Sequence, residues 1–280
     1  MTILITGASG FIGGYLYDHL SKNHKVYRVL RNYKDDGDDR IFYIDLVNLD
    51  DVKYRINDSN ELDIEIDIII HCAALLADSE NSKNIDLFND NNRITENVIS
   101  IAKKCNVKRV INFSTIGLYP NKDGAYNETS QVNPAFNAEC LYSLSKFCSE
   151  ELLTFLLPNV SIINLRLSQT YGKGMRNDRI YALFINELRT QNTITLWGNG
   201  ERSSNFISVE YLLSQIDHIL VDFGIKGTFN IGQKNMTYLE LANQIVEVYG
   251  NEKSRIVLVD KGVKSKVFID CNKLETELKK

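Results

Sequence analysis

The stretch that most constrains this chain is "TGASGFIGGYL", residues 6 to 16, in which Gly7, Gly10 and Gly13 recur at spacings of three. The run before it, "MTILI", is apolar and rich in β-branched residues, the pattern of a buried strand, and "FIGGYLYDHLSKN" carries apolar side chains at helical spacing. The glycines therefore sit on a strand-to-helix turn. Glycine tolerates unusual backbone dihedrals and lacks a Cβ, so main-chain N–H groups and the positive end of the helix can approach a pyrophosphate closely. A strand before and a helix after are the context that a dinucleotide-binding turn requires. Gly7, Ser9, Gly10, Phe11, Ile12 and Gly13 are accordingly candidate cofactor-binding residues.

The first half of the chain continues as short apolar strands, "ILIT", "VYRVL", "IFYID", "IDIIIHCA" and "RVINFST", separated by stretches able to form helices, and "SIINLRL" (residues 161 to 167) adds a sixth. This rhythm predicts βαβ units with right-handed crossovers and hence an α/β fold, a doubly wound parallel sheet covered on both faces. After about residue 168 the loops lengthen around a helix "RIYALFINELR" and the strand-like "TITLWG". Two further helices, "VEYLLSQIDHIL" and "YLELANQIVEVY", flank a strand "GTFNI". The expected organisation is a dinucleotide-binding domain over residues 1–167 and a mainly substrate-binding lobe over 168–280, with a segment at about 205–232 returning to the sheet. Ligands of open parallel sheets bind at the carboxyl ends of the strands, which makes a cleft between sheet and lobe the expected site. Residues 32–40, "NYKDDGDDR", read as a polar surface loop.

A chain of 280 residues that is 44% hydrophobic and 24% charged can bury a substantial core. A net charge of −4 without a sustained Lys/Arg stripe argues against nucleic acid as the main partner. The chain enters its first strand without a basic leader and apolar signal core, and no run approaches the ~18 apolar residues of a membrane span, so a cytoplasmic location is expected. The cysteines, Cys72, Cys105, Cys140, Cys148 and Cys271, are odd in number, widely spaced and without a C-x-x-C pair. They read as reduced thiols packed as small hydrophobes, and no metal site is expected.

Two further patterns carry chemistry. In "CLYSLSKFCSEELL", Tyr142 and Lys146 lie four residues apart, so one helical turn brings both side chains to the same face. An ammonium beside a phenol favours the phenolate and moves the tyrosine towards proton transfer with a substrate hydroxyl or carbonyl. In "NFSTIGLYP" a strand end delivers Ser114 and Thr115, hydroxyls able to orient the oxygen on which the tyrosine acts. The second strand ends in Arg31, where a site selective for NAD commonly places an acid for the ribose 2′-OH; an Arg there can pair instead with a 2′-phosphate. NADP is therefore the expected cofactor, with NAD the alternative.

In this order and over nearly the whole chain, these motifs resemble those of an extended short-chain dehydrogenase/reductase of the NAD-dependent epimerase/dehydratase type, a family acting mostly on nucleotide sugars. The resemblance implies a Rossmann-like sheet with a small C-terminal substrate-binding lobe. "YIDL", with Asp45 and Leu46, resembles the family's adenine-side segment, "HCAA", with Ala73 and Ala74, the strand end beside the cofactor, and "NNRITENV", with Asn91 and Asn97, its central helix motif, which makes Asp45, Leu46, Ala73, Ala74 and Asn91 expected cofactor contacts. Tyr119 resembles the tyrosine of the family's V-Y-G, which puts Thr115 on the catalytic Ser/Thr position and Ser114 beside it. Tyr142 and Lys146 fall on the catalytic pair, Lys146 also contacting the cofactor ribose. "LRLSQTYGKG" and "GNGERSSNFISVEYL" resemble the sugar-nucleotide segments with two departures: Gln169 stands at the usual asparagine, and Ser204 where many members carry an arginine. Arg202, two residues earlier, is the candidate replacement, so Ser114, Gln169, Arg202 and Ser204 are the expected substrate contacts.

Dehydratases of the family carry Thr-Asp-Glu where this chain has Thr115-Ile116-Gly117, which disfavours elimination of water. What remains is hydride chemistry without a second acid/base pair. The expected activity is an NADP-dependent reductase of a keto group, C4 preferred, on a nucleotide-linked deoxysugar. Alternatives are an NAD-dependent nucleotide-sugar 4-epimerase and a non-catalytic dinucleotide sensor. The resemblance also implies a homodimer that pairs helices over residues 91 to 105 and 142 to 156.

Overall fold

The computed structural model describes residues 1–32, 38, 40–48 and 64–279, and most of the expected polar loop at 32–40 lies outside these. The elements in chain order are β1 (Thr2–Thr6), α1 (Phe11–Leu20), β2 (Lys25–Leu30), β3 (Ile41–Tyr43), β4 (Ile68–His71), α2 (Ile85–Lys104), β5 (Arg109–Thr115), β6 (Gly124–Tyr126), α3 (Cys140–Leu156), β7 (Ser161–Leu167) and β8 (Gln169–Tyr171). They continue with α4 (Ile180–Gln191), β9 (Thr193–Trp197), β10 (Ser203–Ser208), α5 (Val209–Val221), β11 (Gly227–Ile231), β12 (Lys234–Thr237), α6 (Tyr238–Tyr249), β13 (Arg255–Val259), β14 (Val267–Ile269) and α7 (Asn272–Glu277).

Seven strands form one sheet in the order β11-β7-β5-β4-β1-β2-β3. The pairs β1–β2, β1–β4, β2–β3 and β4–β5 are all parallel. A parallel sheet with helices on both faces needs strands that are apolar on both sides, and Ile3, Leu4, Ile5, Ile68, Ile69 and Ile70 are completely buried. Strand order reverses between β1 and β4, and the crevice at such a reversal, beyond the carboxyl ends of the strands, is where this architecture binds ligands. Both expected cofactor segments, the turn after β1 and "HCAA" after β4, lie there. The strand expected at "IFYID" stops at Tyr43, which leaves Asp45 and Leu46 on irregular backbone.

Residues 1–120, 132–166 and 216–229 make one compact unit, and 121–131, 167–215 and 230–280 a second. The excursion at 121–131 therefore groups with the later residues. Within the expected returning segment, β11 joins the seven-stranded sheet, whereas β10 pairs antiparallel with β12 on one side and parallel with β8 on the other, which occupies both its edges. In the first unit Arg109 is completely buried. It donates to the carbonyls of Ile219 (2.8 Å), Asp222 (2.9 Å) and Ile225 (3.0 Å) at and beyond the end of α5, and lies 4.3 Å from the Phe223 ring. A cation at the negative end of a helix dipole satisfies carbonyls the helix leaves unpaired.

Candidate active site

The glycine turn is built by close backbone approach. Gly7 has φ +71°, and a Cβ there would lie 2.7 Å from the nitrogen and 2.8 Å from the Cα of Ala73. A Cβ on Gly13 would lie 2.3 Å from the Gly7 carbonyl oxygen. Gly10 caps α1 with no side-chain hydrogen bond, and the first turn holds no acidic residue. Neither a capping side chain on residue 10 nor an acid in the first turn thus offsets the positive end of α1, at Phe11 and Ile12, which fits a pyrophosphate. Thr6 fixes the neighbouring strand end: its Oγ1 accepts from the Ala73 N–H (3.3 Å) and shares a 2.8 Å hydrogen bond with Nδ1 of His71.

On the adenosine side the structure brings Arg31 and Asp45 together, Nε to Oδ1 at 3.8 Å, with Arg31 about half exposed. The Asp45 Oδ1 also accepts from the Val47 N–H (2.9 Å), and Asn97 donates to the Leu46 carbonyl (2.8 Å), so α2 holds this irregular segment in place. Asn91 does the same for the backbone after β4. Its Oδ1 accepts from the Leu75 N–H (2.7 Å) and its Nδ2 donates to the Leu75 carbonyl (3.0 Å). Asn91 therefore bears on the segment of Ala73 and Ala74 through Leu75, a role that the helix motif alone does not display.

The proton-transfer residues come from β5 and α3. Thr115 Oγ1 accepts from the Gly117 N–H (3.0 Å), capping a short 3-10 turn at Ile116–Leu118 and leaving the threonine O–H to donate elsewhere. Asn137 locks that turn by donating to the carbonyls of Gly117 (2.7 Å) and Tyr119 (2.8 Å). Ser114 is buried, and its hydroxyl has no partner among the described residues. A Cβ on Gly117 would meet Ser143 Oγ at 2.9 Å and Thr115 Oγ1 at 3.2 Å, so these hydroxyls border the space that glycine leaves. Ser143, next to Tyr142, is a neighbour of the site that the Tyr-x-x-x-Lys pattern does not single out.

Tyr142 and Lys146 lie one turn apart on α3, and Ser145 donates to the Tyr142 carbonyl (2.7 Å). Lys146 is only 3% exposed. Burial lowers its ammonium to about 8, opposed by Cys72 and by Glu150 one turn further on. The Cys72 thiol is pushed up to about 12 by burial, and His71 is held well below the ordinary histidine range by burial and then by the Lys146 charge. Lys146 thus stands against the end of β4, beside the expected cofactor segment.

In the second unit the expected substrate residues converge on Tyr238, which their motifs do not indicate. Gln169 Nε2 lies 3.1 Å from Ser204 Oγ and 3.4 Å from the Tyr238 hydroxyl, donating to both, and the Arg202 guanidinium lies 4.9 Å from the Tyr238 ring centre. Among the described residues no cluster of three or more His, Cys, Asp or Glu could hold a metal, and no helix is long and apolar enough to cross a membrane.

The model of the NAD dependent epimerase/dehydratase family matches residues 3–232. The chain is 28% identical over 271 residues to a dTDP-D-glucose 4,6-dehydratase of Dictyostelium discoideum, covering 88% of this chain but 62% of the relative's length. It is 27% identical to a dTDP-4-dehydro-6-deoxyglucose reductase of Escherichia coli, covering 92% and 84%. The crystal structure of UDP-glucuronic acid 4-epimerase from Bacillus cereus in complex with NAD superposes with a TM-score of 0.79 at 22% identity, covering 99% of this chain and 92% of that one.

Proposed function

Because the chain belongs to the NAD dependent epimerase/dehydratase family of NAD(P)-dependent oxidoreductases and epimerases, we propose that it is an NADP-dependent reductase of a keto group, C4 preferred, on a nucleotide-linked deoxysugar. The observation that carries this reading is the strand end after β5. Where dehydratases of the family resembled above carry carboxylates, this chain has Ile116 and Gly117, and Ser143 and Thr115 hydroxyls border the vacant position. No acid stands there to drive loss of water, so the proton chemistry rests on Tyr142, Lys146 and Thr115. The dTDP-sugar reductase among the relatives supports the same choice.

A nicotinamide dinucleotide fits the cradle of Gly7, Gly10 and Gly13, and when bound there it supplies hydride. Tyr142 donates its phenolic proton to the substrate carbonyl oxygen. The Thr115 hydroxyl donates to the same oxygen and orients it. Lys146, titrating near 8, still carries its proton at pH 7 and favours the phenolate that Tyr142 becomes. Gln169, Arg202 and Ser204 hold the nucleotide-sugar, with Arg202 as the phosphate cation. Arg31 selects NADP. In the proposed homodimer the helices over 91–105 and 142–156 pair, which would cover Phe155, 83% exposed; light scattering that reports only monomer excludes it.

A second reading, an NAD-dependent 4-epimerase, is favoured by one observation: Asp45 lies 3.8 Å from the Arg31 guanidinium, where it offsets the charge a 2′-phosphate would need. The purified protein, offered NADPH or NADH with a panel of nucleotide-linked 4-keto-6-deoxysugars and, separately, 4-epimeric nucleotide-sugars with NAD, separates the two. Stoichiometric oxidation, faster with NADPH, supports the reductase. Interconversion of 4-epimers without net oxidation establishes the epimerase, and cofactor binding without any turnover points to a sensor.

A further inference from the structure

A buried ion network continues along the catalytic helix one turn beyond Lys146. Glu150 stands one turn beyond Lys146, as Lys146 stands one turn beyond Tyr142, so the three share a face of α3. Glu150 is 1% and Arg166, on β7, 5% exposed. Arg166 donates from Nε to Oε1 at 3.1 Å and from Nη2 to Oε2 at 2.8 Å. Its Nη1 donates to the Tyr119 hydroxyl at 3.0 Å, and Tyr119 closes the turn that Thr115 opens. A guanidinium from another strand thus holds both carboxylate oxygens, so Glu150 acts on Lys146 across a fixed distance and does not collapse onto it.

The other groups that bear on Lys146 carry little charge at neutral pH. From the end of β4 come His71, kept neutral by burial and engaged with Thr6, and the Cys72 thiol, pushed up to about 12. Tyr142 is on the same helix, and Arg166 pairs with Glu150, so it offsets part of the field that this carboxylate exerts on Lys146. Glu150 is therefore the carboxylate that offsets the burial of the Lys146 ammonium. A buried ion pair recovers its own desolvation poorly, so an electrostatic task accounts for this one better than stability does.

We propose that Glu150, clamped by Arg166, is a positioning residue that keeps Lys146 charged beside Tyr142. This rests on the reading of Tyr142 and Lys146 as the catalytic pair. The test is an NMR titration of protein labelled with [ε-13C]lysine, the Lys146 signal being the one lost in Lys146→Met. Glu150→Gln should lower the Lys146 midpoint by about one pH unit, the order expected for removing one charge a helical turn away in a buried site. The double variant Glu150→Gln/Arg166→Met, which leaves no unpaired guanidinium, should lower it by less. Tyr119→Phe loosens the network without changing charge and should leave the midpoint within about 0.2 pH unit. An unchanged midpoint in both Glu150 variants overturns the proposal, as does an equal fall in Tyr119→Phe. Turnover by Tyr142→Phe is measured alongside: if it persists, the catalytic pair is misassigned, whereas the titration still decides the action of Glu150 on Lys146.

Discussion

Gly13 and Gly14 are adjacent on α1, and alanine at one or the other separates the cofactor cradle from the helix that carries it. At Gly14 a Cβ would meet the Ala8 carbonyl oxygen at 3.6 Å, ordinary contact. Alanine there also removes the entropic cost of glycine in a helix, a gain of about 1 kcal/mol. At Gly13 a Cβ would lie 2.3 Å from the Gly7 oxygen, 2.8 Å from the Gly7 carbonyl carbon and 2.9 Å from the Ala8 Cα, all main-chain atoms. Retreat to van der Waals contact takes about 1 Å, and because the neighbours are backbone, α1 must move off the turn as a body. Overpacking of this kind costs about 1–3 kcal/mol, which outweighs the helix-propensity gain. Each kcal/mol moves Tm by about 2–4 °C in a chain of this size. Calorimetry should therefore show Gly14→Ala about 2–4 °C more stable than the parent and Gly13→Ala about 2–4 °C less stable. Titration with NADPH should show Gly14→Ala within about twofold of the parent and Gly13→Ala weaker by about tenfold, since about 1.4 kcal/mol of the displacement falls on the pyrophosphate contacts. A Gly13→Ala protein as stable and as tight-binding as Gly14→Ala refutes the reasoning.

Asn91→Ala leaves the Leu75 N–H and carbonyl without their side-chain partners, at about 2 kcal/mol, and should lower Tm by about 4–8 °C; an unchanged Tm shows that the contact holds nothing. His71 has a folded-state pKa below its unfolded value of about 6.5, so the unfolded chain binds more protons just below that pH. Stability should fall on acidification from pH 6.5 towards 5 with a slope of up to about 1.4 kcal/mol per pH unit from this group, and the slope should flatten in His71→Gln; identical slopes in urea titrations contradict it. Arg31→Asp should bind NADPH about tenfold or more weakly with NADH affinity retained, and equal NADPH affinity removes Arg31 from the site. Arg202→Ala should raise the substrate KM with cofactor binding unchanged; an unaltered KM removes Arg202.

Local patterns carried much of this far. The turn is legible because Gly7 and Gly13 answer a local demand, one for a positive φ and the other for a helix that can touch the turn. The strands of the sheet are legible because burial on both faces makes them continuously apolar. Partner choice over long separations is not. Nothing local shows that Asn97 holds Leu46, that Arg109 caps the far end of α5, or that Arg166 joins Glu150 to Tyr119, since each pairing exists only once the sheet has assembled. Ser143 is missed for a related reason: its position matters through a glycine on another element. β10 falls largely within the segment expected to return to the sheet, and only its pairing with β8 and β12 excludes it.

The most direct measurement is the turnover of Tyr142→Phe on a nucleotide-linked ketosugar that the parent accepts, with NADPH affinity measured in parallel. Removing one hydroxyl leaves the cradle intact, so affinity should stay within about twofold, while kcat falls by about 10²–10⁴, the contribution of a positioned general acid. A variant with kcat within about tenfold of the parent would show that the proton comes from elsewhere and would contradict the account.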